Sequence, residues 1–251
     1  MPELPASVRV ALWASAAFNG RAELNTVATK ALPDLDDISG LTSALQLWCD
    51  VGERVVLLAL PRPGHLGGMP TGPIEMTAAA QDSQEMVFVP GLGGALVPQI
   101  DEYGPEGDQG WRATWTAYPS DPMPQHVVAA MSVADVELRL RTSLAELTAH
   151  LEMTPGSPMA GAAAEVFARR RVGTATAWGM PSGMPPRCAR VIELAGSVMT
   201  LSDIGRQTGM QSVDSSSTQS REMVLRRLHD EAASALSVAT NVAAMHYAGW
   251  V

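Results

Sequence analysis

Residues 86–118 read MVFVPGLGGALVPQIDEYGPEGDQGWRATWTAY, and this stretch decides the fold. Two short apolar runs, 86–89 and 95–100, flank Gly91-Leu92-Gly93-Gly94, the pattern of a hairpin. Pro98 has no N–H to give to a ladder, so it places the second strand at an edge or a bulge. Residues 111–118 then alternate: Trp111, Ala113, Trp115 and Ala117 face one way and Arg112, Thr114, Thr116 and Tyr118 the other, as in a half-buried strand. Upstream, RVVLLAL (54–60) is a continuous apolar run, the mark of a strand covered on both faces. A small, mostly antiparallel sheet of about four strands follows.

Helical spacing surrounds this sheet. Two short helices are expected over 7–18 and 21–32. The acids in PDLDDISG suit a helix N-cap at Asp36 or Asp37, before Leu41, Leu45, Trp48 and Cys49 share a face. TAAAQDSQ (77–84) suits a helical turn or two. Val133, Val136, Leu140, Leu144, Leu147 and Leu151 form a stripe, residues 159–171 a shorter helix, and Cys188, Val191, Ala195 and Val198 a further stripe. The most regular seam comes last: Leu225, Leu228, Ala232, Ala235, Ala239, Val242 and His246 recur at alternating steps of three and four. Its alanines let a partner helix approach closely, either within the chain or from a second copy. The fold class is therefore α+β, with N-terminal helices, the sheet, and a C-terminal bundle of three to four helices. The expected organisation is one domain, 1–251, in two lobes: 1–122 with helices and sheet, and 123–251 helical.

Composition narrows the function. The 251 residues are 46% hydrophobic and 17% charged, enough to bury a core. Residues 1–125 carry fifteen acidic and six basic side chains, whereas the remainder is balanced. An acidic front half repels phosphate backbones, which argues against nucleic acid as a partner. The uncharged stretch 232–251 is too rich in Ala, Ser, Thr and Asn to favour a membrane. Two cysteines, Cys49 and Cys188, both on apolar helical stripes, read as buried thiols of a cytoplasmic protein.

No stretch carries a chemical signature. The loop after the 54–60 strand, PRPGHLGGMPTGP (61–73), holds glycines without the lysine of a phosphate loop, and Pro70 removes an amide where one is wanted. It reads as a connector, with Arg62 and His65 as candidate binding residues facing a pocket at the strand's end. Arg169, Arg170 and Arg171 are the one basic run, either an anion clamp or the cationic end of a helix. Asp34, Asp36 and Asp37 lack calcium-loop spacing. The histidines lack zinc spacing, and His229-Asp230-Glu231 diverge by about 100° per residue on a helix. No metal and no cofactor is expected.

The segments ALPRPG (59–64), GPIE (72–75), GLGGALVP (91–98) and WRATWTAY (111–118) resemble a family of actinobacterial proteins with no assigned activity. That resemblance implies a cytoplasmic protein of a high-GC bacterium and carries over no catalytic residue. The reading that follows is a non-catalytic protein that binds a partner protein or itself as a homo-oligomer. The alternative is a small-ligand binder or enzyme with a pocket near the 61–73 loop.

Overall fold

The computed structural model describes residues 4–105, 107–152, 179–209 and 215–251. The expected helix over 159–171 and the run Arg169–Arg171 lie outside them. The chain is α+β. Its elements run α1 (Ala6–Phe18), a 3-10 turn (Leu24–Thr26), α2 (Val27–Ala31), β1 (Asp37–Ser39), α3 (Leu41–Asp50), β2 (Leu57–Ala59) and α4 (Ile74–Ser83). They continue with β3 (Met86–Phe88), β4 (Ala95–Tyr103), β5 (Gly110–Tyr118), α5 (Gln125–Ala129), α6 (Val133–Glu152), α7 (Pro186–Gly209) and α8 (Ser215–Tyr247).

Among the described residues the sheet has five strands, one more than expected, in the order β1-β5-β4-β3-β2. Four of them, β2 to β5, pair antiparallel in sequence, and β1 joins β5 in parallel. The extra strand is the segment expected to cap α3. Asp36 does not cap a helix: its carboxylate accepts the Trp111 N–H at 2.8 Å, and Asp37 meets Arg112 at 2.8 Å. The residue that starts α3 is Gly40, at φ +79°, where a Cβ would collide with the Trp115 carbonyl. Only glycine fits a left-handed residue so close to another backbone. The expected second helix also shortens, to the 3-10 turn and five residues of α2.

Helix α1 is buried nearly all round, since its Ala, Val and small polar residues leave no solvent face. The major core gathers Val10, Leu12, Leu45, Trp115, Ile192 and Ala239 from along the whole chain. A second cluster, with Leu57, Met76, Met86, Phe88 and Met245, fills the opposite face of the sheet under α4. The alanine seam of α8 is spent inside the chain: Ala232, Ala235 and Ala239 are essentially fully buried.

The end of the sheet at β2 is covered by side chains rather than by another strand. Ser15 on α1 accepts the Val56 N–H at 2.9 Å. Asn241 on α8 bonds the N–H and the carbonyl of Leu58, and the Ser237 hydroxyl reaches that carbonyl at 3.3 Å. A buried strand edge without such partners would carry unsatisfied amides.

Candidate functional site

Where β2 ends, the chain makes a tight turn. Arg62 N–H donates to His65 O and His65 N–H to Arg62 O, both at 2.8 Å, with Pro63 and Gly64 at the bend. Gly67 follows at φ +64°, its backbone pressed on Leu60, so that a Cβ would sit 2.6 Å from the Leu60 carbonyl. The loop is thus a compact connector. It aims Arg62 inward and leaves His65 exposed, with Nδ1 accepting the Gly67 N–H at 3.0 Å.

Arg62 stands on the wall of a cleft of about 1000 Å³. One wall is the start of α1 and the α4–β3 connection, with Gln84 and Glu85; another is β4 from Val97 to Asp101; the third is α7 and α8, with Thr200, Asp203 and His229. Arg62 is only 8% exposed. Its Nη1 donates to the carbonyls of Pro61 at 2.8 Å and Gln84 at 2.7 Å, while its buried Nε–H has no partner. Burial pulls Arg62 below its ordinary pKa, opposed by the carboxylates of Glu85, Asp230 and Asp203.

Glu85 performs a task that no local signal predicts. Helix α1 starts after Pro5 with no side-chain cap, and the Glu85 carboxylate accepts the Ser7 N–H at 2.7 Å in its first turn. A carboxylate there satisfies an orphan amide and complements the helix dipole. Burial nonetheless pushes Glu85 above the usual carboxylate range, against the Ser7 bond and the charges of Arg9 and Arg62. Behind it, Arg9 holds both carboxylate oxygens of Asp34. Burial alone would raise the pKa of Asp34, but the bond and charge of Arg9 outweigh it and hold it low.

On the helical wall, His229 is 7% exposed and its Nε2 lies 3.5 Å from Asp203 Oδ1. His229 therefore converges not with its sequence neighbours but with a carboxylate on α7. The hydroxyl of Thr200 is turned to the carbonyl of Gly196 at 3.0 Å, and that of Ser83 to Glu85 O at 3.3 Å. Cys188 is buried on α7, its thiol pushed up by burial, and Cys49 is half-buried on α3; neither lines the cleft. Among the described residues, no group of three or more His, Cys, Asp or Glu is placed to hold a metal ion.

The N-terminal domain model of the Rv1486c-like proteins matches residues 7–131, and the C-terminal domain model of the same proteins matches residues 134–237. The chain belongs to the Rv1486c-like family. Neither a curated protein nor a solved structure matches it. Membership in the Rv1486c-like family fits the resemblance read from residues 59–118 and brings no assigned activity. Among the described residues of this Rv1486c-like chain, no helix is long and apolar enough to cross a membrane.

Of the candidates read from sequence, Arg62 lines the cleft, His65 does not, and Arg169, Arg170 and Arg171 lie outside the described residues. Glu85, Asp203 and His229 were not anticipated. The one sequence signal near them was Pro98, whose missing N–H marks where β4 loses a neighbour.

Proposed function

We propose that this Rv1486c-like protein is a non-catalytic binding protein whose ligand occupies the cleft between β4, the start of α1 and helices α7 and α8. The observation that carries this reading is Arg62. Its Nε–H is buried on the cleft wall without a partner. Leaving a buried donor unpaired costs roughly 1–3 kcal/mol, a cost that a bound acceptor removes. The volume of about 1000 Å³ is at the upper end for a ligand site. The Ser83 and Thr200 hydroxyls on the walls are engaged by nearby carbonyls and neither cysteine lines the cleft, which favours binding over nucleophilic chemistry. The burial of the alanine seam within the chain removes the main support for self-association through α8. The two free thiols fit a reducing compartment, and we place the protein in the cytoplasm.

The test is an amide-resolved NMR titration with a panel of charged probes: simple amines, carboxylates, amino acids and short capped peptides. Shifts gathered on Arg62, Glu85, Ile100, Thr200 and His229 are expected. A panel that perturbs nothing there, or only residues elsewhere, overturns the reading.

A further inference from the structure

The cleft includes a gap in the sheet. Strand β3 begins at Met86, whereas β4 continues to Tyr103. With Val87 opposite Leu96, the register puts Glu85 level with Pro98, and beyond that point no described strand lies beside β4 on the β3 side. Two observations say which peptide groups face the gap. Val89 N–H donates to Gly94 O at 3.0 Å, so the Gly94 carbonyl and, at every second residue, the backbone groups of Leu96, Pro98 and Ile100 turn to that side. Pro98, paired with Trp115 of β5, has no N–H to offer and agrees with facing away from β5. The N–H and C=O of Ile100 therefore open on the cleft that Pro98, Ile100 and Asp101 line.

The charge around this edge has one sign in excess. Among the described residues, Asp82, Glu85, Asp101 and Asp203 line the cleft against one lining cation, Arg62, with Arg206 a further 3.7 Å partner of Asp203. Resting on the binding role above, we propose that the occupant is an extended basic peptide segment, added as a strand along β4 at Ile100 with its Lys or Arg side chains toward these carboxylates. Main-chain pairing supplies the affinity of such an addition and alternate side chains its selectivity. A second copy of this chain is the poorer occupant, because it would bring the same carboxylates together. An acidic peptide is repelled for the same reason.

The experiment is fluorescence anisotropy with a dye-labelled, capped hexapeptide alternating Val and Lys, on the full chain at low ionic strength. Saturable binding that weakens with added salt is expected. Methylating alternate backbone nitrogens of the peptide, or replacing its Lys by Glu, is expected to lower affinity at least tenfold. On the protein, Asp101→Lys and Asp82→Lys are expected to weaken binding severalfold. Ile100→Pro removes the gap-side N–H together with the Ile100 side chain, takes no N–H from the β5 ladder, and is expected to abolish most of the binding. The N-methylated peptide keeps the test decisive should that variant fold poorly. Absent binding, or binding indifferent to N-methylation or to the Lys-to-Glu exchange, overturns strand addition. Cleft shifts with a simple amine but not the hexapeptide would sink strand addition and leave the binding role standing. A dimer dissociated by Ile100→Pro would make a second copy the occupant and overturn the proposal.

Discussion

The side-chain amide of Asn241 meets the Leu58 peptide at both ends, Oδ1 accepting the N–H at 2.8 Å and Nδ2 donating to the carbonyl at 3.0 Å. An Asn side chain has the donor and acceptor of a peptide group, so it stands where an adjacent strand would. Because both partners are buried, Asn241→Ala strands the Leu58 N–H while its carbonyl keeps Ser237. A loss of about 2–3 kcal/mol is expected. Ser237→Ala, which leaves Asn241 in place, is expected to cost nearer 1 kcal/mol. Urea denaturation midpoints measure both.

Asp34 and Glu85 are shifted in opposite directions, and their pH signatures oppose each other. Asp34 is held low by Arg9, so its contribution is present above the ordinary value of 3.8 and is lost as pH falls through the depressed folded value. Asp34→Asn is expected to flatten the acid limb of the stability profile. Glu85 is raised above 4.5, so its contribution is present below 4.5 and is lost as pH rises through the folded value. Glu85→Gln keeps an acceptor for Ser7 N–H and is expected to be neutral or stabilising at pH 7. If the Glu85→Gln protein, measured against wild type, were less stable at pH 7 than at pH 4, this account of Glu85 would fail.

Two glycines of the 61–73 loop separate conformational strain from crowding. Gly64 is at φ +84° with open space where a Cβ would point, whereas Gly67 is pressed against Leu60. Gly64→Ala is expected to cost about 1–2 kcal/mol, the ordinary penalty of a left-handed residue. Gly67→Ala is expected to cost at least about twice that, and to shift the amide resonances of Leu60 and Arg62.

The thiols differ in reach. Cys188 is 3% exposed with its pKa pushed up, while Cys49 is half-buried. Ellman reagent at pH 8 is expected to titrate one thiol in the native protein and the second only in guanidinium. Two equivalent fast thiols would show that α7 opens readily.

What could be read from the sequence was what local periodicity encodes. The hairpin over 86–100, the alternation of 111–118 and the stripes of α6, α7 and α8 each repeat within a few residues. Strand β1 escaped because it has three residues, one of them apolar, and its partner lies 75 positions away at Arg112. The acids at 34–37 were readable as occupied, but not by whom: Arg9, Trp111 and Arg112 are long-range partners. The cleft was less legible still, since Arg62, Glu85, Asp203 and His229 come together only once four elements have packed. His229 looked inert because neighbours on one helix cannot converge. Its partner sits on another helix.

The Asn241 clamp also bears on how this chain can be cut. Asn241 falls beyond residue 237, where the second family match ends, and Ser237 is its last residue. A fragment stopping at 131 would keep Ser15 on the Val56 N–H but leave the Leu58 N–H and carbonyl bare, an adhesive template for its own kind. The last helix acts as a stopper on that flank, so solubility of the front half depends on residues more than a hundred positions downstream.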